Sequence, residues 1–151
     1  MSDVDPKLAA GLISTALLIP ASLFARSARD EALGLNPGRA KSGNAMAIAG
    51  RLGLAALFVF GFLCTRGVEI LYLLGSGAPL DPDAFREGYF AYSAAHCALA
   101  ALSVLWLSLV LLRTAKRGVP AKPSKLMAGA VRYQHFVLGT WVLLVAAYYI
   151  F

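Results

Sequence analysis

The sequence predicts an all-α integral membrane protein in which four helices form one antiparallel bundle. Hydrophobic residues make up 59% of the 151 residues, mean hydropathy is +0.68 and only 15% of the residues are charged. Soluble domains average roughly 45–50% apolar and about 25% charged residues. The apolar residues are concentrated in four runs, each near the roughly 20 residues that a helix needs to cross a bilayer. The connections between the runs are short, which favours antiparallel neighbours.

The first two spans each contain a residue that is unusual in a membrane helix. Span one covers residues 8–24 and contains Pro20, which a membrane helix tolerates where neighbouring helices satisfy the freed carbonyl. Residues 25–35 are assigned to the first cytoplasmic connection, although they could continue as an interfacial helix. Span two covers residues 44–75, and Arg51 near its start is expected to extend to the cytoplasmic surface.

The last two spans are bounded by basic and aromatic residues. The third covers residues 89–112, where 24 consecutive residues include no Asp, Glu, Lys or Arg, and it stops at Arg113. The fourth covers residues 126–151 and ends in tyrosines and a phenylalanine, which suit a membrane–water interface. No linker or internal repeat divides the chain, so residues 1–151 are predicted to form a single transmembrane domain.

The distribution of basic residues predicts the orientation in the membrane. The first connection carries four Lys and Arg residues, the third carries five and the second carries one. Because basic loops face the cytoplasm, both termini are predicted on the non-cytoplasmic side of the cell's inner (plasma) membrane. Topology thereby explains the formal charge of +6, and no nucleic-acid partner is expected. The acidic start and the lack of an A-x-A-like cleavage site indicate that the first span is a retained helix and not a signal peptide.

The two histidines raise the question of a heme group, whose two axial imidazoles would have to face each other at one depth. His96 is seven residues beyond Tyr89, which places it about 10 Å from the outer end of its span. His135 is sixteen residues before Phe151, or about 24 Å from the outer end. The offset of roughly 10–15 Å argues against one heme shared by both residues, while heme b or copper bound by His96 alone stays an alternative.

A second candidate is a metal site formed by Cys64, His96 and Cys97. These residues are expected at similar depth on the second and third spans, and thiolate together with imidazole suits Cu(I) or zinc. Against this, the adjacent residues His96 and Cys97 point about 100° apart around a helix. No C-x-x-C spacing is present, and cysteine is also common as a small apolar core residue.

A third candidate is a polar cluster within the membrane, formed by Arg66, Glu69, Tyr72 and His96. Arg66 and Glu69 are three residues apart and can pair on one helix face. Ionisable residues inside a bilayer are costly and are functional candidates, so the cluster could bind a quinone or a lipid headgroup if His96 donates to Glu69. The simpler interpretation, which we favour, is that the charges pair locally and that His96 bonds a neighbouring helix.

The run from Tyr89 to His96, Y-F-A-Y-S-A-A-H, is followed by an apolar helix that ends L-L-R-T-A-K-R-G. This segment resembles domain-of-unknown-function family 420, which comprises small four-helix membrane proteins linked to cytochrome c oxidase assembly. The similarity covers the C-terminal half, where Ala130, Arg132 and Tyr149 also fall near matching places. The resemblance implies a four-helix fold and a role in the assembly of a respiratory complex.

The chain departs from that family at two places where the family has further histidines. The family begins its second helix with a His four residues before a Met, whereas this chain has Ser42 before Met46. The family has another His just before the fourth helix, where this chain has Lys122 to Lys125. If those histidines handle heme or copper in the family, only His96 is retained here.

We therefore predict a non-catalytic accessory or assembly protein of a larger, respiratory-type membrane complex. Its expected partners are membrane lipid and other integral membrane subunits, and no cofactor is expected. No P-loop, zincin or G-x-S-x-G motif is present, so no catalytic residue is predicted. The alternatives are a heme- or copper-binding protein that uses His96, and a small membrane enzyme or transporter that uses Arg66, Glu69 and His96.

Overall fold

Four long helices make up most of the chain in a computed structural model, which describes residues 6–35, 44–75, 84–118 and 125–149. In chain order they are α1 (Pro6–Ala32), α2 (Ala45–Gly75), α3 (Ala84–Arg117) and α4 (Lys125–Tyr149). Each helix contains a stretch of at least 22 residues that is long and apolar enough to cross a membrane. The prediction of an all-α, multi-pass membrane protein is confirmed.

Each helix packs against two neighbours in a closed ring. α1 and α3 each pack along both α2 and α4, whereas the backbones of the diagonal pairs do not come close within the described ranges. Bonds between helices show that neighbours are antiparallel. Glu31 near the end of α1 pairs with Arg51 near the start of α2, and Trp141 late in α4 donates to Thr15 early in α1. We call the end of the bundle where α1 and α3 finish the basic end, and the other one the opposite end.

Small residues are frequent in the core of the bundle. Buried alanines occur on all four helices: Ala21, Ala25, Ala28, Ala49, Ala55, Ala100 and Ala130. Lipid tails are as apolar as leucine, so helices in a membrane associate through close packing, which small residues permit, more than through the hydrophobic effect. Many large apolar side chains are exposed on the outside instead, such as Leu57, Leu105 and Leu143. This distribution is typical of a bundle that is surrounded by hydrocarbon.

Gly129 allows α4 to approach Trp106 of α3. A Cβ atom at position 129 would lie 2.8 Å from Cζ2 of Trp106 and 3.3 Å from its Cη2. Carbon atoms attract each other at about 3.5–4.0 Å and repel strongly well inside that distance. A side chain at this position would therefore push the two helices apart.

α1 is longer than the sequence predicts. It continues to Ala32, so the assignment of residues 25–32 to the connection is wrong, and the alternative that the helix continues there is correct for this part. Ala25 and Ala28 are fully buried, which shows that this part of the helix contributes a core-facing side. The helix ends where Gly34 adopts a φ of 66°, a left-handed conformation that glycine adopts without steric cost.

The bounds of the other helices differ less from the predicted spans. α3 begins at Ala84, five residues before the predicted start at Tyr89, and continues five residues beyond the predicted end. Gly118 terminates it with a φ of 73°. α2 and α4 begin within one residue of the prediction, and the last two residues of the predicted fourth span lie outside the described ranges.

Candidate functional site

Polar and aromatic side chains converge at the centre of the bundle toward the opposite end. Phe62, Arg66 and Glu69 of α2 are spaced by four and three residues and so share one helix face. Ser93 and His96 of α3 are three residues apart and share a face for the same reason. Together with one residue of α4 they form what we call the central cluster: Phe62, Arg66, Glu69, Ser93, His96 and Trp141.

Arg66 is the most deeply buried charged residue of the central cluster, with 1% of its surface exposed. Its guanidinium forms the predicted ion pair with Glu69 and donates to the hydroxyl of Ser93 at 3.0 Å. Its Cζ atom also lies 4.9 Å from the ring centroid of Trp141, within the range of a cation–π interaction. A carboxylate, a hydroxyl and an aromatic face therefore surround this charge, as a buried charge requires.

His96 bonds a neighbouring helix and not Glu69. Its Nε2 atom lies 2.9 Å from the carbonyl oxygen of Val137 in α4. A carbonyl only accepts, so Nε2 carries the proton and, in a neutral ring, Nδ1 is left as an acceptor. Nδ1 is buried and has no hydrogen-bond partner within the described residues. The interpretation in which His96 donates to Glu69 is thus wrong, and the simpler one, a bond to another helix, is confirmed.

Trp141 connects α4 to the three other helices. It is 1% exposed, and its ring centroid lies 5.0 Å from that of Phe62 and 5.1 Å from that of His96. Its indole Nε1 donates to the hydroxyl of Thr15 in α1 at 3.0 Å. The sequence does not indicate this role, because a single tryptophan in an apolar run does not show which way it faces.

The depths of the two histidines differ from the sequence estimate. His96 bonds the carbonyl of Val137, which is two residues, or about 3 Å of helix, from His135. The predicted offset of 10–15 Å is wrong because α3 begins five residues earlier than expected and the two predicted span ends were not level. The imidazole of His96 nevertheless contacts α4 from the interior of the bundle, on a different side of that helix from His135. His135 is exposed, and its Nδ1 lies 2.7 Å from the carbonyl of Val131, so the structure does not bring the two imidazoles together.

The structure does not gather Cys64, His96 and Cys97 into a metal site. Cys64 is exposed and Cys97 is half-buried. Within the described ranges, no three His, Cys, Asp or Glu side chains are grouped so that they could hold a metal ion. Tyr72, the fourth residue of the predicted polar cluster, lies in α2, but its side chain is outside the described part of the chain.

A second polar contact joins α3 and α4 one to two turns closer to the basic end. The buried hydroxyl of Ser103 donates to the amide oxygen of Gln134, and the hydroxyl of Tyr133 donates to the carbonyl of Leu99 at 3.1 Å. Both contacts replace bonds to water that a membrane cannot provide. Sequence reasoning missed them because an isolated Ser or Gln in an apolar run has no distinctive spacing.

A buried ion pair joins α1 and α2 near the basic end. Arg51 pairs with Glu31, whose side chain is 6% exposed, and also donates to the carbonyl of Ser27 at 3.4 Å. Because Glu31 is one residue from the end of α1, this pair directs Arg51 toward the basic end. The expectation that Arg51 extends to the cytoplasmic surface stays a prediction, and its partner, the carboxylate of Glu31, was not predicted.

An apolar cavity of about 540 Å³ lies between α3 and α4 beside the central cluster. Its lining comprises Tyr92, Ala95, His96, Leu99, Thr140, Leu143, Leu144 and Ala147. Tyr92 and Leu143 are among the exposed residues, so the cavity opens on the side of the bundle. Its chemistry suits an apolar chain, with His96 and Thr140 as its main polar groups apart from the tyrosine.

A comparison with known proteins finds a similarity to a respiratory enzyme subunit. The chain is 26% identical over 91 residues to quinol oxidase subunit 3 of Bacillus subtilis (strain 168). The aligned region is 60% of this chain and 44% of that protein, so the chain spans less than half the length of the relative. No family model matches the chain, and the resemblance to domain-of-unknown-function family 420 stays a prediction.

Proposed function

We propose that this chain is a non-catalytic accessory subunit or assembly protein of a respiratory-type membrane complex. The similarity to quinol oxidase subunit 3 carries the proposal, because it is a likeness to a named subunit of a larger membrane enzyme. The bundle has four helices that are long and apolar enough to cross a membrane, which is consistent with this role. Its partners are proposed to be other integral membrane subunits and the surrounding lipid.

The bonding of the central cluster supports a structural role for its polar residues. Arg66 donates to α3, His96 donates to α4 and Trp141 donates to α1. Each of these side chains thus stabilises a contact between two helices. Polar bonds of this kind fix how membrane helices pack, and a subunit that binds others through its outer surface needs a bundle of defined shape.

The proposed orientation places the basic end in the cytoplasm and both termini on the other side of the inner membrane, in line with the positive-inside rule. Lys116 is exposed at the end of α3, so a label at this position shows on which side of the membrane the basic end lies. In a variant without Cys64 and Cys97, Lys116→Cys is expected to react with a membrane-impermeant maleimide in inverted vesicles and not in intact cells. Labelling in intact cells would reverse the orientation.

The main experiment is purification of the tagged full chain from the membranes of its source organism in mild detergent. We expect it to carry with it the large integral membrane subunits of a respiratory oxidase, identified by mass spectrometry. A tagged multi-pass protein of similar size and unrelated function, expressed at the same level, is the control. Recovery of the chain without oxidase subunits, or equal recovery with the control, would refute the proposal.

A heme- or copper-binding role for His96 is a second candidate, since its buried Nδ1 has no hydrogen-bond partner in the described part of the chain. Imidazole is a ligand of both heme iron and copper. A Soret band, or bound copper, that is present in the purified chain and lost in His96→Ala would support this role. A chain that copurifies with an oxidase but shows neither signal would leave the accessory role as the better account.

A further inference from the structure

A basic pocket lies between α1 and α4 in the half of the bundle nearer the basic end. It has a volume of about 340 Å³ and is lined by Arg26, Arg29, Val131, Arg132 and His135. Three of these five residues carry a permanent positive charge, and a fourth is an imidazole. The arginines come from two different helices, so the bundle brings together charges that are far apart in the chain.

Acidic residues neutralise the pocket only in part. Asp30 is 3.5 Å from Nε of Arg26 and 2.9 Å from Nη2 of Arg29, so one carboxylate is shared by two guanidinium groups. Arg132 is exposed and makes no hydrogen bond or ion pair with any other described residue. Three guanidinium groups against one carboxylate leave excess positive charge, and Arg132 has its donors available for an anion.

The pocket lies close to the basic end of the bundle, where a lipid headgroup layer is expected. Arg132 is seven residues from the start of α4, or about 10 Å, and Arg29 is three residues from the end of α1, or about 5 Å. The next turns toward the membrane centre carry exposed apolar side chains, Leu23 on α1 and Phe136 on α4. A phospholipid has a charged headgroup near the membrane surface and apolar acyl chains deeper in the membrane. The basic residues of the pocket and the apolar side chains beyond them match this arrangement.

We propose that this pocket binds the phosphodiester group of an anionic phospholipid, with Arg132 and Arg29 donating to its non-bridging oxygens. Guanidinium forks match phosphate oxygens in geometry and charge, and basic pockets between membrane helices bind anionic headgroups. The acyl chains follow the apolar surface at Leu23 and Phe136. The proposal does not depend on the accessory role, because it concerns a site on this chain alone.

The test is native mass spectrometry of the delipidated full chain in detergent. The protein is titrated with phosphatidylglycerol and, separately, with phosphatidylcholine of the same acyl chains. Phosphatidylglycerol is expected to bind more tightly, and Arg132→Gln to weaken that binding about fivefold, since a basic residue near the surface contributes about 1 kcal/mol. Arg132→Lys keeps the charge and should restore part of the affinity.

Two further variants separate a local effect from a general effect of charge. Lys116→Gln removes the same charge from an exposed position on α3, outside the pocket, and should leave the affinity unchanged. Asp30→Asn removes the competing carboxylate and should raise the affinity for phosphatidylglycerol. Thermal unfolding of each variant confirms that the fold is kept.

Equal binding of the two lipids would overturn the proposal. It would also be overturned if Arg132→Gln and Lys116→Gln weakened binding equally, or if Asp30→Asn weakened it in a folded protein. Inorganic phosphate is titrated in parallel. If it binds with the same dependence on Arg132 while phosphatidylglycerol does not, the pocket is a free-phosphate site and the lipid assignment is wrong.

Discussion

Replacing Glu69 with Gln tests whether the ion pair of the central cluster stabilises the bundle. The substitution keeps the size of the side chain but removes the negative charge next to Arg66, which is 1% exposed, whereas the side chain of Glu69 is 13% exposed. Removing one partner of a buried pair costs about 3–5 kcal/mol, because the remaining charge is left without compensation. Arg66 still has the hydroxyl of Ser93 and the ring of Trp141, so we expect a loss near the lower limit, about 3 kcal/mol.

The free energy of unfolding can be measured by SDS titration of the chain in mixed micelles. Tryptophan fluorescence, to which Trp141 next to Arg66 contributes, reports the loss of the cluster. The matched control is Asp30→Asn, because Asp30 also pairs with arginines on its own helix, but the side chains of these partners, Arg26 and Arg29, are 63% and 33% exposed. An exposed pair of this kind contributes at most about 1 kcal/mol.

A double variant distinguishes an unpaired charge from a general loss of packing. If Arg66→Met is combined with Glu69→Gln, no buried charge remains, and the free energy of unfolding should recover toward that of the wild type. The reasoning is refuted if Glu69→Gln costs no more than Asp30→Asn. It is also refuted if the double variant is as unstable as the sum of the two single losses.

Two further substitutions test contacts between helices with the same unfolding assay. Gly129→Ala places a methyl group 2.8 Å from the ring of Trp106 and should lower the free energy of unfolding by about 1–3 kcal/mol. Gly139→Ala, where no neighbouring side chain lies within 4 Å of the added carbon, should be neutral or slightly stabilising. Equal effects of the two substitutions would argue against a tight contact at Gly129. His96→Ala should destabilise more than His96→Gln, because the glutamine amide can still donate to the carbonyl of Val137; identical losses would show that this hydrogen bond adds little.

The sequence predicts the helices better than it predicts their relative placement. The number of spans, the class of fold and the Arg66–Glu69 pair follow from apolar runs and from spacing within one helix. The extension of α1 to Ala32 could not be read in the same way, because Arg29 and Glu31 look like loop residues until the position of Arg51 on α2 is known. A charge that is neutralised by another helix is indistinguishable, in the sequence, from a charge in water.

The central cluster shows the same limit for a functional site. His96 was identified because histidine is rare in apolar runs, but its partner, the carbonyl of Val137, is a backbone group that no side-chain pattern indicates. The relative depth of His96 and His135 cannot be obtained from residue counts alone, because such a count requires known helix ends. Trp141 contacts all three other helices, yet only the packing of four helices together reveals this.

A strain that lacks this chain provides the most direct test of its proposed role. The measurement is the amount of assembled respiratory oxidase in the membrane, together with the quinol oxidation rate per assembled complex. An accessory or assembly role predicts that less complex is assembled, or that it dissociates more readily, while the rate per assembled complex is retained. An unchanged amount of stable complex would contradict the account, and so would a fully assembled complex that has lost its catalytic rate.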